Sequence, residues 1–147
     1  MMRLFTPADF DACVDLYIAT FAGPPWNETW SRQLVRDRLS QMVETPGFFG
    51  ALIDGEPLAG FVFGTSEPWH EGTHFNLKEM CIRPGLQRQG LGTKLLEYLA
   101  KQLESRDTKR IYLLTARGEI TETFYTKAGF YTSPKMILMA RRFEQPA

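Results

Sequence analysis

The stretch that decides the fold is Gln87-Arg88-Gln89-Gly90-Leu91-Gly92-Thr93, which lies between an apolar strand-like run and an amphipathic helix. Gly90 and Gly92 remove side chains where a backbone has to approach another group closely. The helix that follows points its free N–H groups at the same place, and this arrangement binds phosphate. The stretch therefore predicts a loop for a phosphorylated ligand. The alternative is a strand-to-helix turn that binds nothing.

Two better-known glycine motifs do not fit this stretch. A Walker A loop needs Lys and then Ser or Thr directly after its last glycine, but Leu91 and Gly92 follow Gly90. A dinucleotide fingerprint that starts at Gly90 needs its third glycine where Leu95 stands. Both motifs are therefore excluded.

The length and the charge of the chain limit the classes of protein to which it can belong. A chain of 147 residues predicts one domain, spanning residues 1–147, with its own core. Its 17 basic residues balance 17 acidic ones, so nothing indicates a nucleic-acid or membrane partner. Cys13, Cys81 and two histidines fit no metal spacing. With no membrane span or signal peptide in the pattern, we expect a cytoplasmic, metal-free protein.

The order of apolar patterns predicts an α+β fold. Helices are expected from the Thr6-Pro7-Ala8-Asp9 start to Phe21, over Trp30–Val43, after the glycine loop with Leu95, Leu96, Leu99 and Leu103 on one face, and around Glu122–Lys127 with Gly129 as a C-cap. Strands are expected to end at Leu4-Phe5 and to cover Phe48–Ile53, Leu58–Gly64, Phe75–Ile82, Ile111–Thr115, Phe130–Thr132 and Lys135–Met139. Residues Ser66–Gly72 are predicted as a loop.

Two segments together resemble a known family. The run Glu79-Met80-Cys81-Ile82-Arg83-Pro84, followed by Gln87-Arg88-Gln89-Gly90-Leu91-Gly92, resembles the acetyl-CoA motif (Q/R)-x-x-G-x-(G/A) of the GCN5-related N-acetyltransferases, the GNAT family. Phe124-Tyr125-Thr126-Lys127-Ala128-Gly129-Phe130 is similar to the family's second motif, F-Y-x-x-x-G-F. The resemblance covers nearly the whole chain. It implies a mostly antiparallel, twisted sheet of six to seven strands with a splayed pair, and about four helices.

The resemblance also implies where acetyl-CoA, the acyl donor, is bound. Its pyrophosphate is expected on the backbone N–H groups of residues Gln87, Arg88, Gln89, Gly90, Leu91, Gly92 and Thr93. Arg88 either adds a charged contact to a phosphate or is a solvated surface residue. The pantetheine arm is expected on the backbone of Met80, Cys81 and Ile82, opposite the strand Ile111–Thr115.

Two side chains are the candidates for catalysis. Strand alternation places Glu79 and Cys81 on one face and Met80 and Ile82 on the other. If the second pair is core, Glu79 faces the cleft and assists deprotonation of an amine; otherwise it is a solvent-facing strand residue. Tyr125 matches the family's tyrosine that protonates the leaving thiolate, with a half-buried helix aromatic as the alternative. Cys81 is interpreted as packing.

The acceptor side is expected in the loop between the first two helices. Trp26, Glu28 and Trp30 in this loop either hold a cationic amine or plug the space between two helices. Trp69, His70, Glu71 and His74 are expected in a second loop that closes over the acceptor, where either histidine is a candidate base.

The leading interpretation is an enzyme, an N-acetyltransferase that moves an acetyl group directly to a primary amine of a small molecule. Three alternatives remain open: acetylation of a protein N-terminus or lysine, aminoglycoside acetylation with an acidic pocket from Glu28, Glu67, Glu71 and Glu79, and a non-catalytic acyl-CoA sensor. Members of the family often form a homodimer, and Lys135–Met139 offers an edge for one.

Overall fold

The computed structural model describes residues 1–144 as a mixed α+β structure built on a five-stranded sheet. The strand order follows the chain, and all neighbouring pairs are antiparallel except β4 and β5. The strands are β1 (Met2–Leu4), β2 (Phe48–Ile53), β3 (Gly60–Trp69), β4 (Gly72–Ile82) and β5 (Thr108–Tyr112). The predicted fold class, with its mostly antiparallel sheet, is confirmed.

Four α-helices accompany the sheet within the described residues: α1 (Phe10–Ala22), α2 (Arg32–Glu44), α3 (Leu91–Glu104) and α4 (Ile120–Lys127). A short 3₁₀ turn, Pro7–Asp9, precedes α1, and the Asp9 carboxylate accepts the Thr6 backbone N–H at 2.8 Å. The N-terminus of α2 is capped by Ser31, whose hydroxyl accepts the Leu34 N–H at 3.1 Å. The four predicted helices are therefore present, with bounds shifted by a few residues.

Helices cover both faces of the sheet. The main core cluster joins α1 and α2 to one face through Cys13, Val14, Leu16, Tyr17, Val35, Leu39, Leu52, Phe61, Phe63 and Cys81. The neighbouring strand residues Ala51, Ile53 and Val62 point the other way and are also buried. On that side lies α3, whose four predicted leucines, Leu95, Leu96, Leu99 and Leu103, are all buried.

The sheet differs from the prediction at the β3–β4 hairpin and at the fifth strand. Residues Ser66–Gly72 are not a loop, because β3 continues to Trp69 and pairs with β4 up to Gly72. Pro68 is tolerated there since β2 pairs with β3 only up to Thr65, which leaves one side of the strand open. The fifth strand is Thr108–Tyr112 instead of the predicted Ile111–Thr115, and it is largely exposed.

The predicted closing strands are absent among the described residues. Neither Phe130–Thr132 nor Lys135–Met139 is in a strand, and Met136 to Met139 are 73% to 82% exposed. The prediction of six to seven strands is therefore wrong by one or two. The apolar character of Met136–Met139 favours a strand, but a strand forms only where a partner supplies backbone hydrogen bonds.

The described chain divides into two compact units, Met1–Leu114 and the residues from Thr115 onward. The first holds the sheet and α1 to α3, and the second holds α4. No helix in residues 1–144 has the length and apolarity needed to cross a membrane.

Candidate functional site

The predicted phosphate loop connects β4 to α3. Two side-chain amides fix it from within: Gln87 Nε2 donates to the Ile82 carbonyl at 2.9 Å, and Gln89 Nε2 donates to the Gly85 carbonyl at 3.3 Å. Arg88 adopts a left-handed conformation with φ of 65° and is exposed, with no ion pair to a described residue. The two glutamines of the motif therefore shape the loop rather than extend from it.

Gly90 is the N-cap of α3 and has a φ of 81°. This left-handed conformation is open to glycine without strain, and a Cβ at this position would meet no protein atom within 4 Å. No side chain caps the helix, so the N–H groups of its first turn have no side-chain acceptor. The loop thus presents free donors and the positive end of the helix dipole at one place.

Only the first part of β4 pairs with β5. The parallel ladder pairs Thr73–Asn76 of β4 with β5, and Ile111 and Tyr112 lie opposite Phe75 and Asn76. Residues Leu77–Ile82 of β4 lie beyond this ladder and are paired to β3 on their other side. Met80–Ile82 therefore lies in the part of β4 that does not pair with β5, and not opposite the strand Ile111–Thr115 as the resemblance implies.

Glu79 is buried on the face of β4 that α1 and α2 cover. It is 8% exposed, and Cys81 on the same face is 1% exposed, whereas Met80 and Ile82 are half-buried. The predicted alternation is confirmed, and Met80 and Ile82 are half-buried rather than core, so the condition on which Glu79 was expected to face the cleft is not met. A solvent-facing Glu79 is excluded as well.

Arg38 of α2 is the partner of Glu79. Its Nε and Nη2 donate to Glu79 Oε1 at 2.9 and 2.6 Å. Both bonds end on the same oxygen, and within residues 1–144 no donor reaches Glu79 Oε2. The Arg38 side chain is 43% exposed, so it lies over the carboxylate and faces solvent on its outer side.

The environment adjusts the protonation of both groups. Burial raises the pKa of Glu79 above its ordinary value, and the hydrogen bonds and charge of Arg38 offset only part of that rise. Burial lowers the pKa of Arg38, but Glu79 and Tyr17 outweigh it and the net shift is upward. Glu79 is therefore a stronger base than an exposed glutamate, opposite a guanidinium that stays charged.

Cys81 lies in the core cluster next to Glu79. Burial, with a further contribution from the charge of Glu79, raises the pKa of the Cys81 thiol well above its ordinary value. A protonated thiol is a poor nucleophile, which agrees with the packing role inferred for Cys81.

The connection between α1 and α2 adjoins the Arg38–Glu79 pair. Trp30 packs edge-on against Tyr17 with centroids 5.3 Å apart, and the Arg38 guanidinium carbon lies 5.8 Å from the Trp30 ring centroid. Glu28 Oε1 accepts the Trp30 indole N–H at 2.9 Å. Trp26 packs instead on Phe21, at 5.0 Å. Trp30 and Glu28 therefore lie next to the Arg38–Glu79 pair, whereas Trp26 contacts Phe21.

The second predicted acceptor loop is the tip of the β3–β4 hairpin. Trp69 stacks on His74 with centroids 5.1 Å apart, and His74 Nε2 lies 3.1 Å from Glu71 Oε1. His74 is 7% exposed because it belongs to β4 and not to a loop. The ring is occupied by these two contacts, which argues against its use as a base.

Tyr125 lies on α4, in the second compact unit, and is half-buried. Its ring packs edge-on against Phe124 and Phe130, at 5.0 and 5.4 Å. Gly129, with a φ of 97°, follows the C-cap Ala128 and turns the chain so that Phe130 reaches this cluster. The second sequence motif is therefore one local structure: a short helix, a glycine turn and three contacting aromatic rings.

The description of the matching family model is acetyltransferase (GNAT) family, and the match spans residues 10–130. The chain belongs to the GNAT acetyltransferase family. No curated protein matches this GNAT chain in sequence.

Solved structures share the GNAT fold with this chain at low sequence identity. An acetyltransferase described as possible, from Clostridium difficile 630, has a TM-score of 0.80 and 10% identity, with 98% of each chain covered. An integron cassette protein from the V. cholerae mobile metagenome has a TM-score of 0.78 and 18% identity, covering 99% of this chain and 92% of that one. An aminoglycoside acetyltransferase from an uncultured soil metagenomic sample, in complex with sisomicin, has a TM-score of 0.72 and 11% identity, with 99% and 96% covered.

Sequence reasoning on this GNAT domain missed Arg38. The signal is present, because Arg38 follows Val35 by three residues and precedes Met42 by four, inside the apolar stripe of α2. A charged residue in such a stripe indicates a buried partner of opposite charge. The sequence could not identify Glu79 as that partner, since the two residues meet only when α2 packs on β4.

Proposed function

We propose that this GNAT domain transfers an acetyl group from acetyl-CoA to a primary amine of a small molecule, directly and without an acyl-enzyme. The observation that carries the proposal is the loop before α3, where a left-handed Gly90 and an uncapped helix N-terminus present free N–H donors. The family match over residues 10–130 supports an acyltransferase in general.

The loop residues Gln87–Thr93 would hold the pyrophosphate, and the backbone of Met80–Ile82, in the part of β4 that does not pair with β5, would hold the pantetheine arm. The open space over Gly90 fits a ligand that approaches the backbone closely. When bound, acetyl-CoA supplies an activated thioester. The two buried free thiols, Cys13 and Cys81, suit a reducing compartment, and we infer a cytoplasmic location.

Glu79 would take the proton of the acceptor ammonium, directly or through a water molecule. An alkyl ammonium has a pKa of about 10, so it has to lose a proton before it becomes a nucleophile. The raised pKa of Glu79 brings this carboxylate closer to the working pH of a general base. Its Oε2 is available for the proton, because Arg38 occupies Oε1.

Tyr125 would donate its phenolic proton to the departing thiolate, a role that rests on the family motif Phe124–Phe130. Trp26, Glu28 and Trp30 remain the proposed acceptor-binding residues. Of these, Glu28 and Trp30 have the better support, because the charge of Glu28 acts on Glu79 and Trp30 lies beside Arg38.

The contacts argue against a polycationic acceptor such as an aminoglycoside. Of the four glutamates that an acidic pocket would need, Glu79 is already bonded to the cation Arg38, and the carboxylates of Glu28, Glu67 and Glu71 are held in place by hydrogen bonds to Trp30, Tyr112 and His74. A small amine with few positive charges fits this distribution better.

Titration calorimetry with acetyl-CoA and a CoA-release assay over a panel of amines test the proposal. Gly90→Ala forces a Cβ into a left-handed conformation and should weaken acetyl-CoA binding at least several-fold, since that conformation costs about 1–2 kcal/mol. Gly118→Ala is the matched control, because Gly118 has a φ of 77° and equally open surroundings. No binding at millimolar acetyl-CoA would overturn the proposal.

A further inference from the structure

A groove of about 330 Å³ lies between the C-terminal half of α2 and the β3–β4 hairpin. This volume is in the range of small-molecule sites. Its lining residues are Arg38, Gln41, Met42, Thr45, Thr65, Glu67 and Lys78. Arg38 lines the groove and is bonded to Glu79, so the groove borders the proposed catalytic site.

Lys78 enters the groove because β4 carries a bulge. The register shifts so that Phe63 lies opposite Glu79 and Gly64 opposite Leu77, which leaves Lys78 as the extra residue. A bulge changes the direction in which a side chain points. The bulged residue, Lys78, directly precedes Glu79 in the chain. The bulge therefore places a lysine and the proposed base side by side.

The charges that line the groove have both signs. In the part of the chain that the structure describes, no carboxylate pairs with Lys78, whereas Arg38 is already bonded to Glu79. Glu67 is the single carboxylate of the lining, and it accepts the Tyr112 hydroxyl at 2.7 Å. The uncompensated cation is therefore Lys78, with the Arg38–Glu79 pair at one end of the groove.

From this arrangement, and building on the proposed acetyltransfer, we infer that the groove takes an acceptor of the amino-acid class, with its carboxylate on the Lys78 ammonium and its amine toward Glu79. A zwitterion matches a groove that presents the unpaired Lys78 ammonium together with the Glu67 carboxylate, next to the Arg38–Glu79 pair. A simple alkylamine or a polyamine has no carboxylate to pair with Lys78, and it brings its own ammonium group toward the Lys78 ammonium. Lys78 is then a residue that determines acceptor specificity.

The test compares amino acids with the amines obtained by removing their carboxyl groups, which keeps the side chain and the reacting amine. For the wild-type protein, kcat/KM should favour each amino acid over its paired amine by about tenfold or more, as expected for a charged contact. Lys78→Met should remove most of this preference, and Lys78→Arg should keep it. Lys101→Met, an exposed lysine of α3 outside the groove, should leave the ratio unchanged.

Binding separates this inference from the proposed function. If CoA is released with none of the amines, the proposed acetyltransfer is wrong. Calorimetry with the same paired compounds still tests whether the groove binds amino acids. Amino-acid binding that weakens about tenfold in Lys78→Met supports the inference, with unchanged acetyl-CoA affinity as the check on folding. Equal or better use of the decarboxylated amines, or a preference that survives Lys78→Met, overturns it.

Discussion

Replacing Arg38 with methionine removes the cation from Glu79 while it keeps most of the apolar length of the side chain. The wild-type pair makes two charge-assisted hydrogen bonds, at 2.9 and 2.6 Å, to a carboxylate whose side chain is 9% exposed. The variant leaves that carboxylate buried without its partner. We therefore expect a loss of stability and a change in the protonation of Glu79.

The size of the stability loss follows from burial. Breaking a fully buried ion pair costs about 3–5 kcal/mol. The Arg38 side chain is 43% exposed, and solvent screening reduces the value to about 2 kcal/mol. For a chain of this length that corresponds to a fall in Tm of about 4–8 °C at neutral pH.

The pH dependence gives the sharper test. Because the folded-state pKa of Glu79 is raised, its ionisation destabilises the folded state as the pH rises through that value. Arg38 opposes this effect, so the difference in Tm between wild type and Arg38→Met should be largest at neutral pH. It should shrink toward acid pH, where Glu79 is protonated in the folded protein and needs no cation.

The assays are thermal unfolding and kcat/KM as functions of pH. The acidic limb of the rate profile should move to higher pH in Arg38→Met, because the pKa of Glu79 rises further without its partner. The control is Arg36→Met on the same helix, α2. Arg36 pairs with the exposed Asp11 of α1, and its replacement should change neither profile. A Tm difference independent of pH, together with an unmoved acidic limb, would refute the reasoning.

Three further predictions concern individual side chains. Glu79→Gln should lower kcat by about 10²-fold or more and abolish the acidic limb, with unchanged acetyl-CoA affinity by calorimetry; full activity would remove Glu79 from the role of base. Tyr125→Phe should lower kcat without weakening acetyl-CoA binding, while Tyr131→Phe, at a residue that is 70% exposed, should have no effect on either. Asp9→Asn should lower the free energy of unfolding by about 2 kcal/mol at pH 7, since hydrogen bonds from Arg3 lower the pKa of Asp9 from 3.8 to about 2. This stability is present above pH 3.8 and is lost as the pH falls through about 2, so denaturant unfolding at pH 7 and at low pH checks it, with the exposed Asp11→Asn as the control.

The elements with strong local patterns were predicted well. The leucine stripe of α3 and the glycine loop before it are at the predicted positions, because period and glycine placement are properties of neighbouring residues. The hairpin tip was predicted wrongly as a loop. Ser66, Pro68 and Gly72 are local turn formers, but the ladder between β3 and β4 and the stacking of Trp69 on His74 outweigh their preference.

The sequence by itself determined the proposed donor half of the site. The residues Gln87–Thr93 and the motif around Tyr125 are contiguous, so their conformations follow from glycine freedom and helix capping and can be recognised along the chain. The tertiary structure decided the proposed acceptor half. Arg38 and Glu79 are 41 residues apart, and their pairing, the raised pKa of Glu79 and the groove beside Lys78 arise only when α2 packs on the bulged strand β4. Burial and charge pairing depend on which surfaces meet in space, and local sequence patterns do not encode that.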